Sequence, residues 1–285
     1  MARQDSLSIF INDKERDKLA ETYGDVIESI QVAALSEQIK NKNYSGDPTT
    51  GSVEIDRFKN SEVAEYGTAR SAGEGKNVKN TGKVTIKVDT DKEIVEEIEK
   101  KDIRLHGASG MAERRKGNHV QRVSAYLDRE FFNEAEEAGK KITLKSETLE
   151  GKLEELIQDV ETTVNDWVDG VDRELLVLTV SPRLWGKISN YIDKTINTIT
   201  NATEYRFHRV KIHPNHRQTS DAICMIDGAV AQLVSADVYD IERIPLSNAI
   251  ALTFFFSKGT KAVMPDLIKY ATVSVGKGAD PEADV

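Results

Sequence analysis

The sequence has one cysteine, Cys224, so no disulfide can close within the chain and a reducing compartment is its expected home. Cys224 lies in Ala222-Ile223-Cys224-Met225-Ile226, where a small buried apolar side chain is the plainest role for it. Long hydrophobic runs are missing as well. The most apolar stretches are Leu7-Ser8-Ile9-Phe10-Ile11 and residues 249–256. Both fall far short of the ~20 residues that carry a helix across a bilayer, and the first is too brief for the centre of a signal peptide. No membrane span or export signal is expected, which leaves the cytoplasm or something assembled there. An excess of positive charge is lacking too. The 39 Lys and Arg face 48 Asp and Glu, a formal net charge of -9, with a pI of 5.3. Binding that wraps nucleic acid through its phosphates depends on clustered Lys and Arg, so such a surface is not expected.

What is present is a polar chain with enough apolar content to fold. Its 285 residues are sufficient for about two domains. Charged residues make up 31% and hydrophobic ones 39%, with mean hydropathy -0.47, which fits a globular protein with a large polar surface.

Motifs for chemistry fail one by one. His208, His213 and His216 are the clustered metal-type ligands, but Arg209, Lys211 and Arg217 crowd the same stretch, and Pro214 breaks any helix that would align two of them. A polar strand and loop is the better reading. In Ser71-Ala72-Gly73-Glu74-Gly75-Lys76-Asn77 a phosphate-binding loop would need Gly where Arg70 stands and a hydroxyl where Asn77 stands. There is no Gly-x-Ser-x-Gly elbow, and Cys224 sits in an apolar run, away from the positive surroundings that activate a thiol. Carboxylate pairs are no more than 48 acidic residues produce by chance. No catalytic residue, cofactor or metal is expected.

Periodicity describes an extended, charged chain. Ile27, Ile30 and Ala34 fall at helical spacing within residues 25–39, and residues 41–51, dense in Asn, Ser, Gly, Asp, Pro and Thr, read as a loop or hinge. Ser52-Val53-Glu54-Ile55-Asp56-Arg57-Phe58 and Lys83-Val84-Thr85-Ile86-Lys87-Val88-Asp89 both alternate with period two. The Gly-bearing connection over residues 59–82 predicts a long two-stranded arm, too thin to stand alone, that lies on a neighbour. An acidic run follows, with Glu93, Glu96, Glu97 and Glu99 around Ile94, Val95 and Ile98. It reads as a solvated face, or as a charged rail that meets basic residues of another subunit. The cluster Arg114-Arg115-Lys116, in what reads as a Gly-rich turn, is the natural counterpart.

From Val120 the stripe Val120, Val123, Leu127, Phe131, Ala135 and Ala138 predicts an amphipathic helix that stops at Gly139. A second stripe, Leu149, Leu153, Leu156, Val160, Val164 and Trp167, predicts a helix closed by Gly170. Leu175-Leu176-Val177-Leu178-Thr179-Val180 reads as a strand buried on both faces. Ser181-Pro182 then caps a helix whose face is Leu184, Trp185, Ile188 and Ile192. The last third reads as β, with hairpins at Asp227-Gly228 and at Ser257-Lys258-Gly259-Thr260, and a mobile tail over residues 276–285.

The order of these parts resembles the major capsid proteins of tailed bacteriophages, the Hong Kong 97 type of fold, over roughly residues 20–275. Val84-Thr85-Ile86-Lys87-Val88-Asp89-Thr90-Asp91-Lys92-Glu93-Ile94 looks like the returning strand of that family's extended loop. Residues 175–185 look like the strand and helix of its axial domain. Gly228-Ala229-Val230-Ala231-Gln232, residues 239–245 and Gly259-Thr260-Lys261-Ala262-Val263-Met264-Pro265-Asp266 look like its closing strands.

The resemblance implies an α+β chain. It would comprise an N-terminal arm (1–46), an extended β-hairpin loop (47–90), a peripheral domain (91–146 and 245–275) with a spine helix at 119–139, an axial domain (147–244) and a flexible tail (276–285). It implies a coat protein and not an enzyme. Pentamers and hexamers of it would close into an icosahedral head around double-stranded DNA, which is held without sequence-specific binding or any membrane. Assembly would take place in the host cytoplasm with a portal; since no long helical leader is read, either a separate scaffolding protein or an already mature form of the chain is expected. Subunit-interface candidates are Lys76, Lys79 and Lys83 of the loop, Glu93, Glu96 and Glu97 of the acidic run, and Arg114, Arg115 and Lys116. Some relatives crosslink a Lys to an Asn, but the loop lysines do not align with such a site. Two alternatives remain open: an encapsulin-like compartment shell of the same fold, and a small enzyme or metal-binding protein using the histidines at 208–216.

Overall fold

Apolar residues at steps of four, Val123, Leu127, Phe131 and Ala135, all buried, put one continuous stripe on the helix that organises the molecule. The computed structural model describes residues 25, 26, 28–30, 32–44, 51–61, 66, 82–99, 101, 108–196, 203–243 and 249–273. The helices are α1 (Leu35–Ile39), α2 (Ala108–Ala138), α3 (Leu149–Glu161) and α4 (Pro182–Ile188). The strands are β1 (Ser52–Ile55), β2 (Val84–Lys87), β3 (Thr90–Glu99), β4 (Lys140–Lys141), β5 (Leu176–Val180) and β6 (Ile192–Ile196), then β7 (Thr203–Phe207), β8 (Val210–Pro214), β9 (Ala222–Ile226), β10 (Val230–Arg243), β11 (Ala249–Ala262) and β12 (Ile268–Ala271).

Among the described residues the strands form three sheets: β1-β2, β10-β11-β3 and β4-β12-β9-β5-β8-β7-β6. The stripe of α2 serves two of them. Val123 and Leu127 pack with Leu252, Phe254 and Phe256 of β11, Ile98 of β3, and Val26 and Ile30 from the N-terminal region. Phe131, Phe132 and Ala135 pack with Val177, Ile223, Met225 and Ile268 of the seven-stranded sheet. The opposite face of that sheet is covered by Leu153, Leu156, Ile157 and Val160 of α3 and by Leu184 and Ile188 of α4. Along β5, Leu176, Leu178 and Val180 point to α3 and Val177 to α2, so the run is buried on both faces, as its unbroken apolar pattern predicts.

Helix α2 has 31 residues, about 46 Å at 1.5 Å per residue. It begins well before the expected start, so Arg114, Arg115 and Lys116 lie on the helix and not in a turn. Its interior Gly117 fills no tight space, so tertiary ion pairs of the first turns outweigh the glycine's poor propensity. The C-terminus falls where expected. A Cβ at Gly139 would stand 2.6 Å from the Ala135 carbonyl and 2.8 Å from Ile268 Cγ2, so the close approach of β12 requires glycine there.

Other boundaries differ from the periodic reading. The helix expected over 25–39 is interrupted at Ala34, whose ψ of 128° is extended, and α1 restarts after it. The stripe through Val164 and Trp167 does not continue α3. Thr162 and Thr163 turn their hydroxyls back to the Gln158 and Asp159 carbonyls (2.7 and 2.8 Å), and the Asn165 side chain accepts from the N–H groups of Trp167 and Val168 (2.8 and 2.9 Å). These local bonds replace the helical ones. Ser181 caps α4 as expected, but Ile192 opens β6 instead of extending the helical face.

Both predicted hairpins of the last third are absent. Asp227-Gly228 is a turn, with Gly228 at φ 81°, but it passes the chain from the seven-stranded sheet to the three-stranded one, because β9 pairs with β5 and β12 while β10 pairs with β11. Strand β11 runs straight through Ser257-Lys258-Gly259-Thr260. Gly259 is there for space and not for a turn: an added Cβ would lie 2.1 Å from the Lys87 carbonyl oxygen of β2.

The two arm strands do pair, with Ser52 opposite Lys87 and Ile55 opposite Val84. Their apolar side chains Val53, Ile55 and Ile86 pack on Ala231, Leu233 and Val263 of the same chain, so the root of the arm rests on its own body. Of the connection at 59–82, residues 59–61, 66 and 82 are described; Lys76 and Lys79, like the tail at 276–285, lie outside the described residues.

Candidate assembly surface

Among the described residues strand β3 is an edge strand, bonded to β11 on one side. Period-two alternation sends Lys92, Ile94, Glu96 and Ile98 toward α2 and Asp91, Glu93, Val95, Glu97 and Glu99 to the outer face, where all five are exposed. The acidic run therefore divides into one inward carboxylate and an outward ridge.

Glu96 is the inward one. Arg115 Nε donates to its Oε2 at 2.7 Å and Arg115 Nη2 to its Oε1, a two-pronged grip, and the buried His119 places Nε2 3.1 Å from Oε2. The Arg115 hydrogen bonds, opposed by partial burial and assisted by His119, hold the Glu96 carboxyl below the ordinary glutamate range. The rail and the basic cluster expected to meet between subunits thus meet within one chain, at Glu96 and Arg115. Lys116 is also engaged, 2.6 Å from Asp25. Arg114 is exposed on α2, and Lys83 pairs with Glu54 across the arm, which raises the Lys83 pKa.

Between β3 and α2 runs an open groove of about 920 Å³. Arg115, Arg122 and Arg129 recur along it every seventh residue, facing Lys92, Glu93, Ile94, Val95 and Glu96 of β3, so acidic and basic groups share one groove. Arg115 and Arg217 are committed to Glu96 and Asp128, whereas Arg122 and Arg129 have no hydrogen bond or ion pair among the described residues. The carboxylates of Glu93, Glu97 and Glu99 likewise have no hydrogen bond or ion pair among the described residues.

Sequence periodicity missed the carboxylates that fasten α2 to everything around it. Asp128, 2% exposed, accepts from the N–H groups of Leu35 and Ser36 at 3.3 and 2.8 Å, which caps α1, and also binds Arg217. Glu130 pairs with Lys258, Glu134 accepts from Ala262 N at 2.9 Å, and one oxygen of Glu136 accepts from Thr219 N, Ser220 N and Ser220 Oγ at 2.8–2.9 Å. The only sequence sign of this was acid interleaved with the apolar stripe, which reads equally as a solvated face.

The histidines do not converge. His208, in a left-handed turn at φ 46°, sits 3.0 Å from Glu150 and 2.9 Å from Glu154. His213 is on β8, its pKa lowered by burial, and His216 faces the groove. No group of three or more His, Cys, Asp and Glu among the described residues is placed to hold a metal ion. Cys224 is buried as expected, and burial pushes its thiol pKa far up, away from reactivity.

No protein-family model and no curated protein sequence matches the chain. Solved structures do. One described as the capsid structure of the cyanophage P-SCSP1u has a TM-score of 0.56 at 11% identity, over 84% of this chain and 88% of that one. A structure from Mycobacterium phage Che8 gives 0.55 at 13%, over 78% and 84%. A virus-like particle from Pyrococcus furiosus gives 0.54 at 13%, over 86% and 95%. The architecture is that of the α+β chains from which such shells are made. Its particular form is the major capsid protein fold of tailed phages, the Hong Kong 97 type.

Proposed function

We propose that this chain is a major capsid protein, a structural subunit that self-assembles into the icosahedral head enclosing phage double-stranded DNA. The observation that carries the reading is the likeness to phage capsid chains over 84–88% of their length, so the shared part is the shell-forming body and not one module of it. The charged edge at β3 and α2 supports it, because a subunit that overlaps copies of itself needs self-complementary surfaces. On this reading residues 1–46 are an arm, 47–90 an extended loop, 91–146 with 245–275 the peripheral domain, and 147–244 the axial domain. Pentamers and hexamers, a scaffolding protein, a portal and packaging in the host cytoplasm follow from the same proposal, as does a virion as its final location. The loop lysines Lys76, Lys79 and Lys83 and the charged residues of β3 and α2 are its proposed subunit contacts.

A second reading, a compartment shell that holds protein cargo, draws support from the likeness to the Pyrococcus furiosus virus-like particle. Sedimentation and negative-stain electron microscopy of the chain, expressed alone and with its neighbouring genes, test both. Closed shells or five- and six-membered rings are expected, with DNA inside favouring the capsid and protein inside favouring the compartment. A strictly monomeric or dimeric species under both conditions would overturn the two together.

A further inference from the structure

We infer that the outward face of α4 is the docking site for an acidic segment of this same chain, residues 276–285. The inference is independent of the shell reading. Leu184 and Ile188 of α4 turn into the core, which leaves Arg183, Gly186 and Lys187 exposed on its other side. The side chains of Arg183 and Lys187 have no hydrogen bond or ion pair among the described residues. A Cβ built on Gly186 meets nothing within 4 Å, so the helix surface beside the two cations is open. No Asp or Glu occurs between Glu174 and Asp193. Asp193 stands opposite Arg206, while its neighbour Ile192 faces Phe207 and the core under α4, so alternation sends Asp193 to the far face of the sheet. Asp221, beside the start of α4, is engaged by Val273 N at 3.0 Å and Ser181 Oγ at 3.4 Å.

The place where the chain leaves the described body selects the occupant. Val273 is the last described residue, and the Asp221 that holds its N–H also accepts from Ser181 N, through its carbonyl, at 2.8 Å. The C-terminal segment therefore departs beside the first residues of α4. Asp280 lies seven residues further on, a reach of up to about 23 Å at about 3.3 Å per residue, against about 10.5 Å for the whole of α4. Within residues 276–285, Asp280, Glu282 and Asp284 outweigh Lys277. Asp280 precedes Pro281, which disfavours helix, and in an extended segment alternate side chains lie about 6.8 Å apart on one face. Arg183 and Lys187, one turn apart, are separated by about 6 Å along the helix. Exposed ion pairs are individually weak, but a short tether holds the acids at an effective concentration of about a millimolar. Nucleic acid has no such tether and meets a net charge of -9 at long range.

Carbodiimide coupling of the full, dispersed chain joins a carboxylate to a lysine amine in contact with it, and mass spectrometry then maps the product. In about 50 mM salt Lys187 is expected to couple to Asp280, Glu282 or Asp284, and the yield to fall about fivefold in about 500 mM salt, where the screening length is about 4 Å. Arg183→Glu keeps both coupling partners but reverses the neighbouring charge, and is expected to lower the yield to a similar degree, with circular dichroism to verify the fold. A mixture of isotope-labelled and unlabelled chains separates coupling within a chain from coupling between copies. No coupling of Lys187 to the segment, coupling indifferent to salt and to Arg183→Glu, or coupling between copies alone would overturn the inference. Protection of Lys187 from acetylation by added duplex DNA, without coupling to the segment, would overturn it too and give the face to nucleic acid.

Discussion

Asp128 shows how much one side chain carries in this molecule. It is buried, caps α1 through two N–H groups and neutralises Arg217, so replacing it by Asn leaves a half-buried guanidinium without its counter-charge and only one side-chain oxygen to accept from the first amides of α1. Asp128→Asn is expected to cost about 3 kcal/mol in urea unfolding of the dispersed subunit. In the double variant with Arg217→Met the cost should be smaller than the sum of the two single changes. A loss under about 0.5 kcal/mol would refute this account. Glu96 makes a prediction in pH. An unfolded glutamate titrates near about 4.3, whereas Glu96 in the fold titrates lower because Arg115 holds its carboxylate. Below about 4.3 the unfolded chain takes up the proton first, so the contribution of Glu96 is fully present above that pH and is lost as pH falls through its folded value. Glu154 shares the sign: burial pulls its pKa upward, but Arg173 and His208 prevail. Stability measured from pH 6 downward should therefore fall across this acid window, and less steeply in Glu96→Gln. Equal slopes would show that the Arg115 grip contributes nothing. Of these pairings the sequence suggested one, the acidic run with Arg114-Arg115-Lys116, and placed it between subunits; the partners of Asp128 and Glu154 were not legible, because an acidic side chain on a helix reads the same whether it faces solvent or a partner far along the chain.

At the scale of elements, the legible parts were those whose signal is local. The apolar run of β5, the Ser181-Pro182 start of α4, the Gly139 stop of α2 and the alternating arm strands each carry their cause within a few residues. The misread parts were decided by neighbours. Gly259 resembles a turn until β2 is laid across it, and Asp227-Gly228 is a sound turn signal that leaves open which strand pairs with which. The same dependence operates where the arm joins the body. Arg57 and Lys59, just beyond β1, lie 5.1 and 5.6 Å over the Trp167 ring, and the ring packs against Gly82 at the entrance to β2. Asn60 N donates to the Asp166 carbonyl at 2.9 Å, and Asp266 binds both Arg57 and Asn165 at 2.7 Å. Trp167 is thus a wedge that fixes the direction in which the arm leaves the body. Cation–π contacts of this kind contribute about 0.5–2 kcal/mol each. Trp167→Ala should therefore speed amide exchange in β1 and β2 roughly tenfold, which corresponds to about 1.4 kcal/mol, while β5 stays protected. Unchanged exchange in the arm strands would assign Trp167 to packing alone.

At the scale of the whole molecule, the α+β class and the order of parts were readable, but the way the two larger sheets share one helix was not. Periodicity shows that α2 has an apolar stripe without showing that its two halves belong to different cores. This arrangement has a mechanical consequence. Leu127 is fully buried in the core under β11, and its carbonyl accepts from Gln232 Nε2 of β10 at 2.9 Å, while Phe131, one turn on, is fully buried against the seven-stranded sheet. A rigid helix cannot loosen at one and stay fixed at the other, so a cavity made in the first core should weaken the second. Leu127→Ala is expected to cost about 2–5 kcal/mol, the range for truncating a buried leucine. Native-state hydrogen exchange on the dispersed subunit should show that cost in β5 and β9 as well as in β10 and β11, because subunits coupled through a common helix open as one unit. Loss of protection confined to the three-stranded sheet would instead mean two independently folding lobes, with α2 a tether between them and free to change their relative orientation.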